Sequence, residues 1–341
     1  MLFKKPHRKH RQPHLRICLL FTGQNPLYCN HPDKYAIIKS RRRRMVADTK
    51  QASYVHLTID QGWKNYTPDH HESWNMLYDR QMGILEPRAC PEYLQAVQDL
   101  GFTADKIPDF HEVNERLRAF TGWEVVATEG LIKAKPFFDM LADRKFPSGY
   151  FIRDKNQLDY LEEPDIFHDL FGHIPLLTNQ AYANYMYEYG KGGARALEYK
   201  TTKNLARLNW WTIEFGLIQK PDGLKLYGAG LCSSYGEAQY CLDDPSAHHI
   251  KFDLERCMRT KVYINDFQPC YFVIDSFEDL FEQAVNTDFS PMYKSFKGME
   301  GIEQATEYLP FDLVPQDNVI RKGTQEYIDP KREFLEDSIS I

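Results

Sequence analysis

Two histidines five positions apart, His168 and His173, are the side chains of this sequence best suited to binding a metal ion. A carboxylate, Glu214, follows in an apolar and aromatic segment further along the chain. Two imidazoles and one carboxylate form the facial triad typical of non-haem Fe(II) oxygenases, which leaves about three coordination positions open. Four protein ligands would instead indicate a closed, structural site. The three residues therefore predict a metal centre that keeps positions free for other ligands.

The spacing of the two histidines places a condition on the helix that carries them. On a regular α-helix, residues five positions apart point about 140° away from each other. His168 and His173 can therefore share a metal only if the helix ends or loosens between them. We expect Gly172 and Pro175 to end it, because glycine favours a helix end and proline cannot continue a helix. Taken alone, the pair is also compatible with two structural histidines at a helix end.

The surroundings of the triad in the sequence support a ligand role. Glu214 lies between Trp211 and Phe215, and an acid buried in such a segment is costly unless its charge is compensated. A metal ion would supply the compensation. Asp165 and Asp169 flank the first histidine, and we expect one of them to orient an imidazole by hydrogen bonding.

Composition narrows the class of protein. The chain has 341 residues, of which 43% are hydrophobic and 14% aromatic, so it can bury a sizeable core. It contains no run of apolar residues long enough for a transmembrane helix, so no membrane partner is expected. The seven cysteines are scattered without a Cys-x-x-Cys pair, which indicates free thiols and a cytoplasmic protein.

Charge divides the chain into unlike parts. Residues 1–44 hold twelve Lys and Arg and one acid, whereas the remaining residues hold 30 Lys and Arg and 47 acids. We expect 1–44 to be a basic extension that is either disordered or translated sequence upstream of a true start at Met45. The folded domain is expected over 45–315, followed by a polar tail over 316–341. The four arginines at 41–44 suggest nucleic-acid binding as an alternative, but the acidic body argues against such a partner.

Helical periodicity dominates the middle of the chain. Prolines at 68, 91 and 108 mark helix starts, and a long helix carrying Glu214 is predicted over 195–217. The segment Lys191-Gly192-Gly193 is expected to be a loop. Short strands are predicted over 123–127, 148–153 and 268–274. The pattern favours a mainly α (α+β) fold with many helices and small β-sheets.

Four segments in order resemble the aromatic amino acid hydroxylases, and in particular the compact bacterial phenylalanine 4-hydroxylases. They are residues 164–175, the Trp-x-x-x-Glu-Phe-Gly segment at 210–216, the Tyr-Gly-Ala-Gly-x-x-Ser-Ser segment at 227–234, and Phe-Gln-Pro at 267–269. The resemblance covers roughly 55–300. It implies a catalytic domain whose helices and small sheets surround one non-haem iron.

The resemblance also implies the reaction. Fe(II), a tetrahydropterin such as tetrahydrobiopterin, and O2 would convert L-phenylalanine to L-tyrosine. Ile264 stands where the tyrosine-hydroxylating members carry an acid, which favours phenylalanine over tyrosine. Hydroxylation of tryptophan or tyrosine is the alternative within the family. The resemblance further implies a monomer and a functional link to pterin carbinolamine dehydratase and dihydropteridine reductase.

Individual roles follow from the same resemblance. The implied iron ligands are His168, His173 and Glu214. Residues implied in binding the amino acid are Arg153, Pro164, Trp210, Phe215, Gly230 and Ser233. Residues implied at the pterin are Gly130, Ile132, Phe137, Ala206 and Glu237.

Some of these roles have a specific chemistry. Arg153 would pair with the carboxylate of the amino acid through its guanidinium fork. Phe137 would stack on the pterin, and Ser233 would also support His168. Ser234 with Glu237 fits a helix capping box equally well, which leaves a purely structural role open for Glu237. Asn209 departs from relatives, which often carry a tyrosine there.

A zinc-dependent hydrolase is the more remote alternative, since two histidines and one glutamate also bind zinc. Such enzymes place a general-base glutamate directly after the first histidine, whereas this chain has Asp169. A hydrolase would retain zinc and would need neither O2 nor a reductant.

Overall fold

The computed structural model describes residues 54–130, 132–159, 163–263, 267–285, 289–299, 301 and 318–324. The basic segment 1–44, Met45, most of the predicted tail and Ile264 lie outside these residues. Within the described part, helices predominate and two small sheets accompany them. The predicted fold class is confirmed.

The helices account for most of the described chain. The α-helices are α1 (Pro68–Leu85), α2 (Pro91–Asp99), α3 (Phe110–Thr121), α4 (Ala134–Leu141), α5 (Gln180–Tyr199), α6 (Thr202–Asn209), α7 (Ala229–Ser233), α8 (Tyr235–Asp243), α9 (Leu254–Arg259), α10 (Phe277–Val285) and α11 (Phe289–Phe296). Two π-helical segments span Phe167–His173 and Trp210–Glu214, and short 3-10 helices span Val55–Leu57, Trp63–Asn65, Lys155–Gln157 and Pro175–Thr178.

The strands form one sheet of three and one of five. They are β1 (Thr58–Ile59), β2 (Glu124–Thr128), β3 (Lys145–Ser148), β4 (Leu217–Lys220), β5 (Gly223–Leu226), β6 (His248–Lys251), β7 (Cys270–Ile274) and β8 (Val319–Arg321). The first sheet has the order β1-β2-β3, with β2 antiparallel to β1 and parallel to β3. The second has the order β5-β4-β7-β6-β8, with β7 parallel to both of its neighbours.

The prolines predicted to mark helix starts lie at or just before the first turns of α1, α2 and α3. Pro68 and Pro91 occupy the first turns of α1 and α2, where a missing N–H costs nothing. Pro108 lies just before α3, whose first turn is capped by the Asp109 carboxylate accepting the N–H of His111. The strand predicted over 148–153 is wrong, because β3 spans Lys145–Ser148 and shares only Ser148 with it. From Gly149 the chain leaves the sheet, and the N–H of Gly149 bonds to the carboxylate of Asp169 instead.

The glycine pair at 192–193 does not form a loop, contrary to the sequence prediction. α5 runs through it without a break from Gln180 to Tyr199. A Cβ at Gly193 would lie 1.9 Å from the ring of Phe138, and one at Gly190 would lie 2.5 Å from the backbone N of Ala142. The glycines therefore allow α4 and α5 to approach closely, which a local propensity argument cannot detect.

The prediction of one long helix over 195–217 is also wrong in detail, because three helical segments cover this range. The chain turns at Lys200, whose φ of +57° ends α5 in the left-handed region. α6 then begins and passes directly into the π-helical segment that carries Glu214. The acid predicted as a ligand is thus on a helix of different pitch from the one expected.

A single aromatic core surrounds the two π-helical segments. Phe167 and Phe171 stack on each other at 4.7 Å between ring centroids, and Trp74 meets Phe167 edge-on at 5.2 Å. The Tyr93 hydroxyl donates to the carbonyl of Phe171 at 2.5 Å. Among the described residues, no helix is both long enough and apolar enough to cross a membrane.

Candidate metal centre

His168 and His173 lie on a π-helical segment, which resolves the problem of their spacing. In a π-helix each N–H bonds to the carbonyl five residues earlier, so residues five apart lie about one turn apart on the same face. The two Nε2 atoms accordingly lie 3.1 Å from each other. The predicted loosening of the helix is confirmed, although it takes the form of a wider turn and not of a helix end.

Gly172 has a different role from the one predicted. It lies inside the π-helical segment and does not end it. A Cβ at this position would lie 2.7 Å from the carbonyl oxygen of Ala229, the first residue of α7. The absence of a side chain at Gly172 therefore lets α7 pack directly on the histidine segment. Pro175 begins the 3-10 helix that follows.

α7 brings Ser233 to the first histidine. Ser233 Oγ lies 2.8 Å from His168 Nδ1 and donates its own hydrogen to the carbonyl of Ala229 at 2.8 Å. Because the hydroxyl hydrogen is used on that carbonyl, Nδ1–H of His168 is the donor. The Nε2 atom of His168 then carries a lone pair, as metal binding requires. This hydrogen bond agrees with the predicted support of His168 by Ser233, whose effect on metal binding remains a prediction.

The second π-helical segment presents Glu214 to both histidines. The N–H of Phe215 bonds to the carbonyl of Trp210 at 2.9 Å, which closes the wide turn at its end. Glu214 Oε1 lies 3.3 Å from His173 Nε2, and Oε2 lies 3.8 Å from His168 Nε2. The three potential ligand atoms all lie within 4.8 Å of one another, and all three residues are buried.

Electrostatics fix the protonation states that a cation would meet. Burial, together with the neighbouring His173, lowers the pKa of His168 to about 4. Burial alone would raise the pKa of Glu214, but the adjacent His173 holds it below its ordinary value. Burial alone would lower the pKa of His173, but the Glu214 carboxylate raises it. At neutral pH the site therefore holds a neutral imidazole at His168 and a carboxylate at Glu214.

The residues present fit a divalent metal. Glu214 Oε2 is buried and has no hydrogen-bond partner among the described residues. A buried carboxylate oxygen without a partner is costly, and a cation held between it and the two Nε2 atoms would remove that cost. Two imidazole nitrogens and one carboxylate suit ferrous iron with open positions.

Asp165 does not bond to an imidazole ring, contrary to one of the two alternatives that the sequence offers. It supports the site through the backbone of His168 and through Arg153. Its carboxylate accepts the Nε–H and Nη2–H of Arg153, both at 2.8 Å, and the backbone N–H of Arg153 at 3.0 Å. It also accepts the backbone N–H of His168 at 3.2 Å. Burial alone would raise the pKa of Asp165, but Arg153 holds it below its ordinary value. Asp165 thus joins Arg153 to the start of the histidine segment.

Asp169 likewise makes its hydrogen bond away from the imidazoles. Its Oδ2 accepts the N–H of Gly149 at 2.7 Å, which ties the residues after β3 to the histidine segment. Burial raises the pKa of Asp169 to about 7, and the nearby His173 opposes that rise. Asp169 therefore affects His173 through charge, while its hydrogen bond is with the loop that follows β3.

Four of the residues predicted to bind the amino acid lie at the ends of the Glu214 segment, on α7, or shortly before the histidine segment. Trp210 and Phe215 are buried and stack on each other at 4.8 Å between centroids, at the two ends of the π-helical segment of Glu214. Trp210 Nε1 is buried without a hydrogen-bond partner among the described residues. Gly230 lies on α7, and Pro164 immediately precedes Asp165. Their roles in binding the amino acid remain predictions.

The residues predicted at the pterin lie on three separate elements. Gly130 has φ of +63° just after β2, Phe137 is buried on α4, and Ala206 is buried on α6. Ile132 is buried between Gly130 and α4. Their contact with a pterin remains a prediction.

Glu237 is held by a different part of the fold. Its Oε1 accepts the backbone N–H of Gln268 at 3.0 Å and the hydroxyl of Tyr271 at 2.8 Å. Ser234 Oγ accepts the N–H of Glu237 at 3.3 Å, so the predicted cap of α8 is present. These contacts connect α8 to β7, which favours the structural alternative left open for Glu237.

Two neighbours of the triad were not predicted from the sequence. The rings of Phe146, on β3, and His173 lie 4.8 Å apart between their centroids, and their planes make an angle of 34°. Asn209 Nδ2 donates to Glu214 Oε1 at 3.4 Å. The spacing of Asn209 could have indicated this contact, because it precedes Glu214 by five positions, the same interval as the two histidines. Nothing in the sequence marks Phe146.

Comparison with known proteins agrees with this geometry. A model of the biopterin-dependent aromatic amino acid hydroxylase family matches residues 18–299. The phenylalanine-4-hydroxylase of Caulobacter vibrioides is 50% identical over 270 residues, which cover 79% of this chain and 90% of that protein. The phenylalanine-4-hydroxylase of Chromobacterium violaceum is 45% identical over 269 residues, covering 79% of this chain and 88% of that protein.

A solved structure is also similar. The crystal structure of phenylalanine hydroxylase from Chromobacterium violaceum bound to cobalt superposes with a TM-score of 0.72 at 42% identity, covering 82% of this chain and 93% of that one. The chain described here belongs to the biopterin-dependent aromatic amino acid hydroxylases.

Proposed function

We propose that this chain is a phenylalanine 4-monooxygenase, which converts L-phenylalanine to L-tyrosine with Fe(II), a tetrahydropterin and O2. The observation that carries the proposal is the convergence of His168, His173 and Glu214 on one point in buried, aromatic surroundings. The relatives named phenylalanine-4-hydroxylase, at up to 50% identity, support phenylalanine as the substrate.

Each side chain has a defined task in this reaction. His168, His173 and Glu214 would hold the iron on one face, and bound iron with the pterin supplies reductive activation of O2. Trp210 and Phe215 offer an apolar surface to an aromatic ring. Burial of the whole site keeps water away from the reacting groups, and positioning accounts for much of the rate that the protein contributes.

Arg153 is suited to the carboxylate of the amino acid. Of its five N–H groups, two bond to Asp165 and one bonds to the carbonyl of Leu158. Among the described residues nothing else bonds to this guanidinium, so two N–H groups remain for a ligand. The buried Asp165 offsets the charge of the guanidinium, so that the arginine can remain buried beside the site before substrate binds.

The reaction also suggests partners and a compartment. The hydroxylated pterin product would need a carbinolamine dehydratase, and the resulting dihydropterin would need a dihydropteridine reductase. We propose a monomeric enzyme working in the cytoplasm. The five cysteines among the described residues are free and buried, which supports a reducing environment.

We also propose that the catalytic domain extends over 45–315, with 1–44 as a basic extension and 316–341 as a polar tail. The family match begins at residue 18, inside the basic segment, and ends at residue 299. Mass spectrometry of the native protein's N-terminus tests the proposed start at Met45. Peptides from 1–44 would contradict it.

The central experiment measures tyrosine formed from L-phenylalanine by purified protein with ferrous iron, tetrahydrobiopterin and air. Omission of pterin and the variant His168→Ala are the controls, and metal analysis accompanies each sample. Pterin-dependent tyrosine that disappears in the variant supports the proposal. Iron-loaded protein that hydroxylates tryptophan or tyrosine but not phenylalanine would reject the substrate. Tightly held zinc with no oxygen consumption would reject the reaction.

A further inference from the structure

The guanidinium of Arg153 is held from two sides. On one side, the Asp165 carboxylate accepts two of its N–H groups. On the other side, Nη1 donates to the backbone carbonyl of Leu158 at 3.2 Å. A planar fork held at both edges has a fixed orientation, which a bidentate partner such as a carboxylate requires.

The Leu158 carbonyl is itself held by a second arginine. Arg80, on α1, donates Nη2–H to this carbonyl at 2.8 Å. One oxygen therefore accepts from both arginines, and its two lone pairs allow this. The other terminal nitrogen of Arg80, Nη1, bonds to the carboxylate of Asp159, whose side chain is 68% exposed. The loop at 158–159 is thereby attached to α1.

Arg80 also reaches the part of the chain that supports the first metal ligand. Its guanidinium carbon lies 4.8 Å above the centre of the Tyr235 ring. Tyr235 begins α8, two positions after Ser233, which bonds to His168. One side chain thus contacts both the loop that holds Arg153 and the first residue of α8, the helix that follows the α7 segment carrying Ser233.

We propose that Arg80 is a positioning residue for the α-carboxylate of the amino-acid substrate. It acts through the Leu158 carbonyl, which sets the plane of the Arg153 guanidinium. The inference rests on the proposed function, since it assumes that Arg153 binds the carboxylate. Arg80 has no hydrogen bond or ring contact with the triad, and its partners are Leu158, Asp159 and Tyr235. We therefore expect its loss to affect the binding of the amino acid more than that of the pterin.

The test compares three variants with the wild-type enzyme. Arg80→Met removes both donors and the charge, whereas Arg80→Lys keeps the charge and one possible donor to the carbonyl. Asp159→Asn is the matched control, because it weakens the exposed ion pair and leaves the bond between Arg80 and Leu158. Steady-state kinetics give KM for L-phenylalanine, KM for tetrahydrobiopterin and kcat, with L-phenylalanine amide as a substrate that lacks the carboxylate. Titration calorimetry measures binding of L-phenylalanine directly.

In Arg80→Met, we expect KM and Kd for L-phenylalanine to rise about fivefold or more, as for the loss of one hydrogen bond. KM for the pterin, kcat, and kcat/KM for the amide should stay within about twofold. Arg80→Lys should recover part of the loss, and Asp159→Asn should match the wild type. If Arg80→Met does not fold, Arg80→Lys decides, with a rise of about twofold to threefold in KM for L-phenylalanine alone.

Other results would overturn the inference. An unchanged KM for L-phenylalanine in the Arg80 variants would do so, as would equal losses with L-phenylalanine and its amide, which indicate a general structural effect. An equal effect of Asp159→Asn would assign the role to the ion pair. Wild-type protein that makes no tyrosine would reject the proposed function instead, and calorimetry with L-phenylalanine and L-tryptophan would still test Arg80.

Discussion

The Nε2 atoms of His168 and His173 lie 3.1 Å apart although five positions separate the residues. On a regular α-helix the two side chains would point about 140° apart. The π-helical turn brings them to the same face, and a second π-helical turn brings in Glu214. The metal site therefore depends on two short segments whose geometry is unusual and must be stabilised by neighbouring elements. π-helical turns are often found at functional sites for this reason.

Ser233 should contribute to metal affinity through His168. In Ser233→Ala the Nδ1–H of His168 loses its acceptor, so the ring is less well oriented and its Nε2 is a weaker donor. We expect a loss of about 10- to 100-fold in affinity for Fe(II) or Co(II), as for other residues that support ligating histidines. Metal titration of the purified protein measures this loss.

Ser234→Ala provides the control for that experiment. Ser234 caps α8 through the N–H of Glu237 and has no hydrogen bond to the histidines. This variant should lose about 1 kcal/mol of stability, as for a lost helix cap, and keep its metal affinity. Equal metal affinities in the two serine variants would contradict the role of Ser233.

Gly172 should tolerate no side chain. In Gly172→Ala the new Cβ would lie 2.7 Å from the carbonyl oxygen of Ala229, so α7 and the histidine segment must separate. Because Ser233 is on α7, the shift also disturbs His168. We expect a loss of about 1–3 kcal/mol in the free energy of unfolding, measured in urea, together with weaker metal binding.

Gly192→Ala is the matched change on α5. A Cβ there would meet nothing within 4 Å, and alanine favours a helix more than glycine does. This variant should be as stable as the wild type or more stable, by up to about 1 kcal/mol. If both glycine variants are equally stable, close packing at Gly172 does not hold the π-helical segment in place.

The sequence predicts the ligands but not the geometry that brings them together. Residue types and order identify His168, His173 and Glu214, and the burial cost of an acid identifies Glu214 independently. The wide turns are not predictable, because no local propensity distinguishes a π-helical turn from an α-helical one. The interpretation of Gly172 as a helix end follows from the same limit, since its reason is a neighbour, Ala229, that is distant in sequence.

Helix positions are predicted well where capping and proline signals are local, as at Pro68 and Pro91. They fail where packing between helices decides. The sequence predicts Gly193 in a loop, yet it lies within α5. This helical position carries a glycine because the ring of Phe138 occupies the space that a side chain would need. Likewise, the sequence suggests that Asp165 or Asp169 orients an imidazole. In the structure Asp165 bonds to Arg153, and Asp169 bonds to the N–H of Gly149. Which partner an acid selects depends on contacts that spacing alone does not determine.

Stability should fall as the pH decreases below about 6.5, because of His248 and His249 on β6. Burial lowers the pKa of each to about 4. His248 Nδ1 accepts the N–H of Gly323 at 3.0 Å, a bond that protonation removes. The unfolded chain therefore binds more protons than the folded one between about pH 6.5 and pH 4, and the native state loses up to roughly 3 kcal/mol for each histidine.

Urea unfolding at a series of pH values, in protein stripped of metal, tests this expectation. The variant His248→Gln removes one titrating group, so its stability should depend less steeply on pH between 6.5 and 4. At pH 8 it should be less stable than the wild type only by the cost of the altered hydrogen bond. Parallel pH profiles of the variant and the wild type would show that His248 does not titrate in this range.

Asp165→Asn should be strongly destabilising, because it leaves the buried guanidinium of Arg153 without its counter-charge. The side chains of Arg153 and Asp165 are 3% and 0% exposed. Breaking a buried pair by removing one partner costs about 3–5 kcal/mol. Urea unfolding should show most of this loss, and KM for L-phenylalanine should rise because Arg153 is no longer held at one edge.

Lys155→Met is the comparison for a pair at the surface. Lys155 bonds to Asp69 and Glu72, whose side chains are 80% and 54% exposed. Exposed ion pairs contribute little, since water and salt screen them, so stability and KM should be nearly unchanged. If Asp165→Asn destabilised the protein no more than Lys155→Met, the buried pair would not anchor Arg153, and its orientation would have to come from the Leu158 carbonyl alone.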